Sequence, residues 1–364
     1  MPHPTGQTWL QKLDEQLNVD VDWMDPTYSK NLQITPNDQT SNNLWVNQQM
    51  SHPDNKEMFQ KVCDGLKGDW KAAYTKIAVL MCKENIGNIK GRVLLQVYPN
   101  EAYDHQAVLD SARAYAREFE RAGIPQERYC IKIPSVGPAL SACPTLKKEG
   151  IATLGTALFS LPQAIAASQG ECLYISPYFN EVKAHDDPDK LWPNVEDPAT
   201  QHTMSARTMQ ILETYARLYE ETDKQQPLLK QASFITAKEA MAAGEHGCHS
   251  ATISPQVLDE LASLQYDGSK QPGEGKPKPA NVYAGYKTPE RLVKVSKIDP
   301  LKAADMDQKL ASTDIDYLAN NGAELDKAIA ADPIATQRLK DALELFTGGL
   351  LESKAKIEKA FAEI

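Results

Sequence analysis

Lys132 stands inside an apolar segment, where it could carry covalent chemistry. Residues 128–133 read RYCIKI, a run typical of a buried strand, and a lysine rarely enters such a run unless it is ion-paired, reaches solvent or reacts. A lysine amine that apolar neighbours desolvate loses proton affinity, so it can attack a carbonyl carbon and form a Schiff base. The alternative is a structural lysine paired with Asp22. The pattern alone leaves both interpretations open.

Polar residues also close the ends of the other β-like segments. With Lys132 they are Asp22, Gln96, Thr156, Ser176 and Tyr178, and Asn42 lies in the loop after the second segment. In a barrel of parallel strands the C-terminal ends of the strands meet at one face, where such proteins carry their active sites. The sequence therefore predicts that these side chains converge around Lys132.

Eight β-like segments alternate with helix-period segments over most of the chain. They are NVDVDW (18–23), NLQIT (31–35), GRVLLQV (91–97), RYCIKI (128–133), IATLGTALF (151–159), ECLYIS (171–176), KQASFI (230–235) and HSATIS (249–254). Alternating strands and helices imply a parallel sheet, and eight such units close a (β/α)8 TIM barrel. An open doubly wound sheet is the competing fold, but the chain contains no glycine-rich phosphate-binding motif.

Helix-period segments predict helices between the strands and at the C-terminal end of the chain. Apolar stripes predict helices over about 104–122 and 204–221, and the pattern is purely helical from about residue 300, with Asp332 and Pro333 as a helix start. The segment GSKQPGEGKPKP (268–279) is interpreted as a surface loop. We expect a single domain over 1–364, with C-terminal helices packed on the barrel.

The composition excludes several classes of partner. The net charge is −10, without the basic surface that nucleic acid requires. The sequence shows neither a signal peptide nor an apolar stretch of membrane-spanning length. Six scattered cysteines indicate reduced thiols and a cytoplasmic protein. No metal site is expected, because His246, Cys248 and His249 are too close in sequence to surround one tetrahedral zinc.

Five longer segments resemble transaldolases, Schiff-base enzymes that move a dihydroxyacetone unit between sugars. The segments are GIPQERYCIKIPS (123–135), GTALFSLPQAIAASQGECLYISPY (155–178), EDPATQHT (196–203), KQASF (230–234) and ATISPQVLDELA (251–262). The resemblance runs from about residue 15 to the C-terminus and implies the transaldolase type of (β/α)8 barrel. It is more specific than any single motif, because the segments occur in the same order and spacing.

The resemblance implies roles for the residues at the strand ends. Lys132 matches the Schiff-base lysine, and Asp22 matches the aspartate that takes the proton of the hydroxyl whose carbon bond breaks. Thr156 matches the threonine that holds a catalytic water. Asn42 and Ser176 match contacts to sugar hydroxyls, although the Asn42 segment departs from the usual T-T-N-P-S. No cofactor is expected, because the iminium itself withdraws the electrons.

Two residues expected around the catalytic water differ from those of ordinary transaldolases. Gln96 stands where ordinary transaldolases have a glutamate, and Tyr178 stands where most have a phenylalanine. Both residues are similar to those of the fructose-6-phosphate aldolases in the same superfamily. The two substitutions predict that the enamine is protonated and released as a free ketone more readily than it is transferred.

Other residues differ from the family at the positions that bind the sugar phosphate. The family binds the sugar phosphate with arginines at the positions of Glu181 and Ile235, and a carboxylate there repels phosphate. The tryptophan of the family's S-T-W segment is also absent after Ser135. We expect Ser135 and Glu181 to contact the substrate, and we expect that substrate to lack an essential phosphate.

The sequence thus predicts a Schiff-base carbon–carbon lyase or transferase acting on a ketose or a dihydroxyacetone-like carbonyl compound. A homodimer is allowed, whereas nucleic acid and membrane are not expected as partners. Two enzymatic alternatives stay open. One is an ordinary transaldolase in which Lys183, Arg207 or Lys238 binds the phosphate, and the other is a specialised enzyme of secondary metabolism that keeps the lysine chemistry. A non-enzymatic interaction protein is disfavoured, because Asp22, Lys132 and Thr156 are all present.

Overall fold

Seven parallel strands form the centre of the computed structural model, which describes residues 6–268, 273–298 and 311–363. The strands are β1 (Asn18–Val21), β2 (Val93–Gln96), β3 (Tyr129–Pro134), β4 (Thr153–Leu158), β5 (Tyr174–Pro177), β6 (Leu228–Gln231) and β7 (Ser250–Ile253). They are hydrogen-bonded in the order β1-β7-β6-β5-β4-β3-β2. All pairs are parallel, as expected for strands that helices connect.

Gln39 closes this sheet into a barrel. It forms parallel bridges with Val21 of β1 and Val93 of β2, and its N–H donates to the Arg92 carbonyl at 3.0 Å. The (β/α)8 fold is therefore confirmed, but the predicted second strand over 31–35 is wrong. Pro26 and the capping side chain of Asp25 start a helix just before that segment, and the chain reaches the sheet only afterwards.

Helices follow the strands and cover the outside of the barrel. Those that the structure describes are α1 (Trp9–Gln16), α2 (Pro26–Asn31), α3 (Asn43–Met50), α4 (Lys56–Gly65), α5 (Trp70–Asn85), α6 (His105–Arg121), α7 (Gly137–Ser141), α8 (Cys143–Lys148), α9 (Leu161–Gln169), α10 (Pro188–Leu191), α11 (Pro198–Gln201), α12 (Thr203–Thr222), α13 (Ala237–His246), α14 (Pro255–Ser263), α15 (Ala319–Ala330) and α16 (Pro333–Glu363). The helices predicted over 104–122 and 204–221 are confirmed as α6 and α12. None of the described helices is long and apolar enough to cross a membrane.

The barrel interior is layered, because residues two apart in a strand point to the same face. A small apolar cluster of Leu94, Cys130, Leu154 and Tyr174 is separate from the main core. Two residues further along these four strands stand Gln96, Lys132, Thr156 and Ser176. The apolar cluster therefore forms a layer directly below the side chains at the C-terminal end of the barrel.

Helix α16 packs over that C-terminal end. It contacts α3, the turn Pro99–Glu101 and the turn Val182–His185, which each follow a strand end. At the closest approach a Cβ on Gly349 would lie 2.8 Å from the Leu44 Cα atom of α3, so only glycine fits there. The predicted helix start is confirmed, since Asp332 Oδ1 accepts from the Ala335 N–H at 2.9 Å.

Two predicted segments lie partly outside the described residues. In the predicted surface loop the described residues 273–279 form no helix or strand, and residues 269–272 are not described. The region predicted as helical from about residue 300 is described only from residue 311, where α15 and α16 account for most of its length.

Candidate active site

Neighbouring strands bring Gln96, Lys132 and Thr156 to the same end of the barrel. Gln96 of β2 is the register partner of Lys132 in β3, and Thr156 of β4 is the partner of Pro134, two residues beyond Lys132. The strand directions are parallel, so all three residues lie at C-terminal strand ends. The structure therefore assembles these residues as the sequence predicted, at the face where barrels carry chemistry.

Lys132 is buried, and its nearest polar partner is uncharged. Only 5% of its surface is exposed, and its ammonium donates to the backbone carbonyl of Ser41 at 2.9 Å. Burial lowers the pKa of Lys132, although the charge of Asp22 opposes this shift. A backbone carbonyl orients the amine but cannot neutralise a positive charge. The environment therefore favours the neutral, nucleophilic form of the side chain.

Asp22 follows β1 and is held by a residue that the sequence interpretation missed. The Thr40 hydroxyl donates to Asp22 Oδ1 at 2.5 Å. The charge of Asp22 opposes the lowering of the Lys132 pKa by burial, so the carboxylate and the amine lie within electrostatic reach. Thr40 was missed because the second strand was placed too early in the sequence, which removed Thr40 from the list of strand ends.

Thr156 and Tyr178 form a hydrogen-bonded pair at the ends of β4 and β5. Thr156 Oγ1 and the Tyr178 hydroxyl are 3.1 Å apart. Burial raises the pKa of Tyr178, partly offset by the bond to Thr156, so its proton is retained at neutral pH. The Gln96 amide is buried, and neither its nitrogen nor its oxygen has a hydrogen-bond partner among the described residues. It is therefore available to a water or a substrate.

The predicted substrate contacts take different positions. Ser176 is buried in β5, two residues before Tyr178. Asn42 caps α3, and its Oδ1 accepts from the N–H groups of Leu44 and Trp45 at 2.9 and 3.0 Å. Its amide nitrogen alone is then left for a ligand. Both residues remain candidates on the catalytic face.

Ser135 lies on a different side of the strands. Its Oγ atom would lie 3.2 Å from a Cβ on Gly155, a position that also contacts Ala167 of α9. This is the face that packs against the helices, opposite to Thr156. The structure therefore does not bring the Ser135 hydroxyl together with the other candidate side chains.

The Glu181 carboxylate forms an ion pair with Arg338. Arg338 of α16 reaches Glu181 Oε1 at 3.5 Å, and nearby Lys183 is 2.6 Å from Asp341 of the same helix. Two oppositely charged pairs thus fasten α16 to the loop after β5. No sequence pattern signals the Glu181 pair, because its members are 157 residues apart.

The structure shows no metal-binding cluster among the residues it describes. The three residues weighed as zinc ligands have other partners. His246 Nδ1 and Cys248 Sγ approach the Gln231 side-chain oxygen at 3.4 and 3.6 Å, whereas His249 Nδ1 lies 2.6 Å from Ser250 Oγ. All six cysteines are buried and free.

Comparisons with known proteins agree with this geometry. The family model for transaldolase/fructose-6-phosphate aldolase matches residues 18–348. A transaldolase from Synechocystis sp. is 27% identical over 342 residues, covering 89% of this chain and 76% of that protein. A transaldolase from Nostoc sp. is 28% identical and covers 91% of this chain and 90% of its own length. A transaldolase from Acidobacterium capsulatum is 26% identical over 81% of this chain and 75% of its own length.

Proposed function

The chain belongs to the transaldolase/fructose-6-phosphate aldolase family, and from its site we propose that it makes or breaks carbon–carbon bonds through a Schiff base on Lys132. The substrate would be a ketose or a dihydroxyacetone-like carbonyl compound that needs no phosphate group. The observation that carries this proposal is the buried Lys132 amine, whose pKa burial lowers and whose hydrogen-bond partner is a backbone carbonyl.

The first half of the proposed cycle uses Lys132 and Asp22. The neutral amine attacks the ketone carbon, and loss of water gives an iminium. The Asp22 carboxylate then takes the proton of the hydroxyl on the carbon beyond the breaking bond. Cleavage releases an aldehyde, and the electron pair of the broken bond moves into the iminium to form an enamine. The Thr40 hydroxyl, bonded to Asp22 Oδ1, leaves the second carboxylate oxygen for this proton.

The second half uses the polar groups next to Lys132. The Thr156–Tyr178 pair and the Gln96 amide lie at the strand ends on both sides of β3. They are suited to hold a water that exchanges protons during dehydration and release. Protonation of the enamine carbon regenerates an iminium, and hydrolysis frees the ketone and Lys132. Attack of the enamine on a second aldehyde is the competing outcome, and it gives transfer.

The charges near the site support a substrate without phosphate. Two of the cations considered for a phosphate already face carboxylates, since Lys183 pairs with Asp341 and Arg207 lies 2.9 Å from Asp332. Arg338 faces Glu181 in the same way. A phosphate would have to compete with these carboxylates for each cation, which weakens charge-assisted binding.

Ordinary transaldolase activity on sugar phosphates is the second candidate. Among the three cations considered, Lys238 gives the strongest support to this second candidate. It is exposed on α13, which directly follows the loop after β6 that carries Ile235. The two candidates share the same Schiff base and differ in the preferred substrate. They are therefore separated by comparing phosphorylated with unphosphorylated compounds.

The test combines covalent trapping with a substrate comparison. Borohydride reduction with dihydroxyacetone should add mass to the peptide that carries CIKIPS, and Lys148→Met, at an exposed lysine, is the control that should label normally. Fructose should then be cleaved at least as efficiently as fructose 6-phosphate. Labelling of a lysine other than Lys132 would refute the mechanism, and a strong preference for the phosphate would restore the ordinary transaldolase assignment.

A further inference from the structure

His185 occupies the mouth of the barrel in the loop that also carries Glu181. It ends the turn Val182–His185 after β5, and its side chain is exposed. Its Nε2 atom lies 2.9 Å from Ser233 Oγ, in the loop after β6. His185 therefore joins two strand-end loops at the place where the family resemblance put the phosphate site.

The hydrogen bonds of Ser233 determine which nitrogen of His185 carries the proton. The Ser233 hydroxyl donates its only hydrogen to the Asn180 carbonyl at 2.8 Å. Its oxygen can then only accept from His185, so Nε2 bears the hydrogen. In the neutral ring Nδ1 is left as an acceptor, and no protein group among the described residues binds it. The neutral ring thus keeps one lone pair that no described protein group uses.

Ser233 is held firmly in an uncommon conformation. Its φ of 66° is in the left-handed region, which is costly for a residue other than glycine. The Asn180 backbone and side-chain N–H groups both donate to the Ser233 carbonyl, at 3.1 and 3.0 Å. The Asn180 amide is itself fixed by Glu239 at 2.8 Å. This network keeps the Ser233 hydroxyl, and with it the His185 ring, in one orientation.

The charged groups that act on the His185 ring include one from the candidate active site. Desolvation by the surrounding protein lowers the pKa of His185, and the charges of Asp186 and Asp22 oppose that shift. Asp22 also lies within electrostatic reach of Lys132. One carboxylate therefore acts on both the Lys132 amine and the His185 ring, which indicates that His185 lies on the same side of the barrel mouth as Asp22.

We propose that His185 Nδ1 accepts a hydrogen bond from a hydroxyl group at the substrate end remote from the Schiff base. This inference rests on the proposed function and names its substrate class as polyhydroxy carbonyl compounds with a free distal hydroxyl. A hydroxyl can donate to a lone pair, whereas a phosphate dianion only accepts and would be repelled by the lone pair and by the neighbouring carboxylates. His185 is thus a specificity-determining residue.

The test measures aldol addition of dihydroxyacetone to D-glyceraldehyde and to lactaldehyde, which lacks the distal hydroxyl. For the wild type, kcat/KM should favour glyceraldehyde. His185→Phe should lower kcat/KM for glyceraldehyde roughly 10–100-fold, the range of one lost hydrogen bond, and should affect lactaldehyde little. His185→Gln should restore part of the preference, because its amide can donate to Ser233 and present an oxygen.

The matched control is His52→Phe. His52 Nδ1 accepts from the N–H of Asp54 in its own turn, at 3.4 Å, so both aldehydes should react as with the wild type. Equal losses on both aldehydes in His185→Phe, an unchanged ratio, or no addition product with either aldehyde would overturn the inference. Borohydride trapping of dihydroxyacetone on Lys132 is measured in parallel on the wild type. Trapping with an unchanged ratio refutes only the role of His185, whereas absence of trapping refutes the proposed function itself.

Discussion

Two lysines are buried inside the same barrel, and their surroundings differ completely. Lys132, at the C-terminal end, has a backbone carbonyl as its hydrogen-bond partner. Lys230 of β6 has no exposed surface, and its ammonium lies 2.8 Å from Asp20 and 2.7 Å from Asp38. It also lies 4.3 Å from the centre of the Tyr174 ring.

The difference shows what determines the direction of the pKa shift of a buried lysine. Burial acts to lower the pKa of both amines, but at Lys230 the two carboxylates outweigh burial and raise the pKa. At Lys132 the more distant Asp22 only reduces the lowering. Lys230 is therefore a fixed cation that neutralises buried carboxylates, and Lys132 is suited to nucleophilic attack. Lys230 has the structural role that the sequence analysis considered for Lys132, and its partners are Asp20 and Asp38.

The largest expected effect is loss of turnover in Lys132→Met. Methionine fills a similar volume without a nucleophile, so activity and borohydride labelling should vanish while the thermal unfolding temperature stays near or above that of the wild type. Steady-state assays and calorimetry check this. Residual turnover above the assay background would show that Lys132 is not the covalent residue.

Asp22→Asn should slow bond cleavage by ~10²–10⁴-fold, the usual contribution of a general acid–base group. Schiff-base formation precedes the step assigned to Asp22, so dihydroxyacetone should still be trapped on Lys132. Single-turnover kinetics with mass spectrometry separates the two steps. Asp189→Asn, at an exposed position, is the control. If Asp22→Asn turned over normally, the hydroxyl proton would have to go to another group.

Lys230→Met should instead cost stability. It leaves Asp20 and Asp38 buried without their cation, and breaking a buried pair costs about 3–5 kcal/mol of unfolding free energy. Urea unfolding monitored by circular dichroism measures this loss. A folded, stable Lys230→Met variant that had lost only turnover would contradict the division of roles between the two lysines.

The two lysines should also give opposite contributions to the pH dependence of stability. The folded-state pKa of Lys132 is below its usual 10.5, so the unfolded chain binds more protons in that window and stability rises with pH up to about 10.5. The raised pKa of Lys230 gives stability that is complete below 10.5 and is lost only above it. Lys132→Met should therefore stabilise the protein most near neutral pH, and the gain should shrink as the pH approaches 10.5. A gain that did not shrink toward pH 10 would contradict this.

The smallest expected effect concerns the groups around Lys132. Gln96→Glu should shift the products toward transfer, because a carboxylate can act as a base where the amide only orients a water. Tyr178→Phe should decrease release of free ketone, because the phenol that can protonate the enamine is lost. The ratio of free to transferred ketone measures both changes. A constant ratio in the wild type and both variants would show that these residues do not control the fate of the enamine.

The loop after β5 makes contacts that the sequence did not reveal. The position of Glu181 indicated that the family's phosphate-binding arginine is missing, but not what the glutamate does. Its partner Arg338 lies on a helix at the other end of the chain. The role proposed for His185 depends on its hydrogen bond to Ser233, 48 residues away in the sequence. Contacts between distant segments leave no periodic pattern in the sequence.

The sequence by itself determined the barrel, most of its elements and the end of the barrel that carries the candidate site. Strand and helix periods are local, and each strand end is visible as a polar residue after an apolar run, so the amino-acid pattern alone groups Lys132, Gln96 and Thr156. The tertiary structure alone decided where the second strand enters the sheet, which places Thr40 on Asp22. It also decided which buried lysine has carboxylate partners. Lys132 and Lys230 look alike in sequence, and only the carboxylates that folding brings to Lys230, one of them from 210 residues away, make their chemistry different.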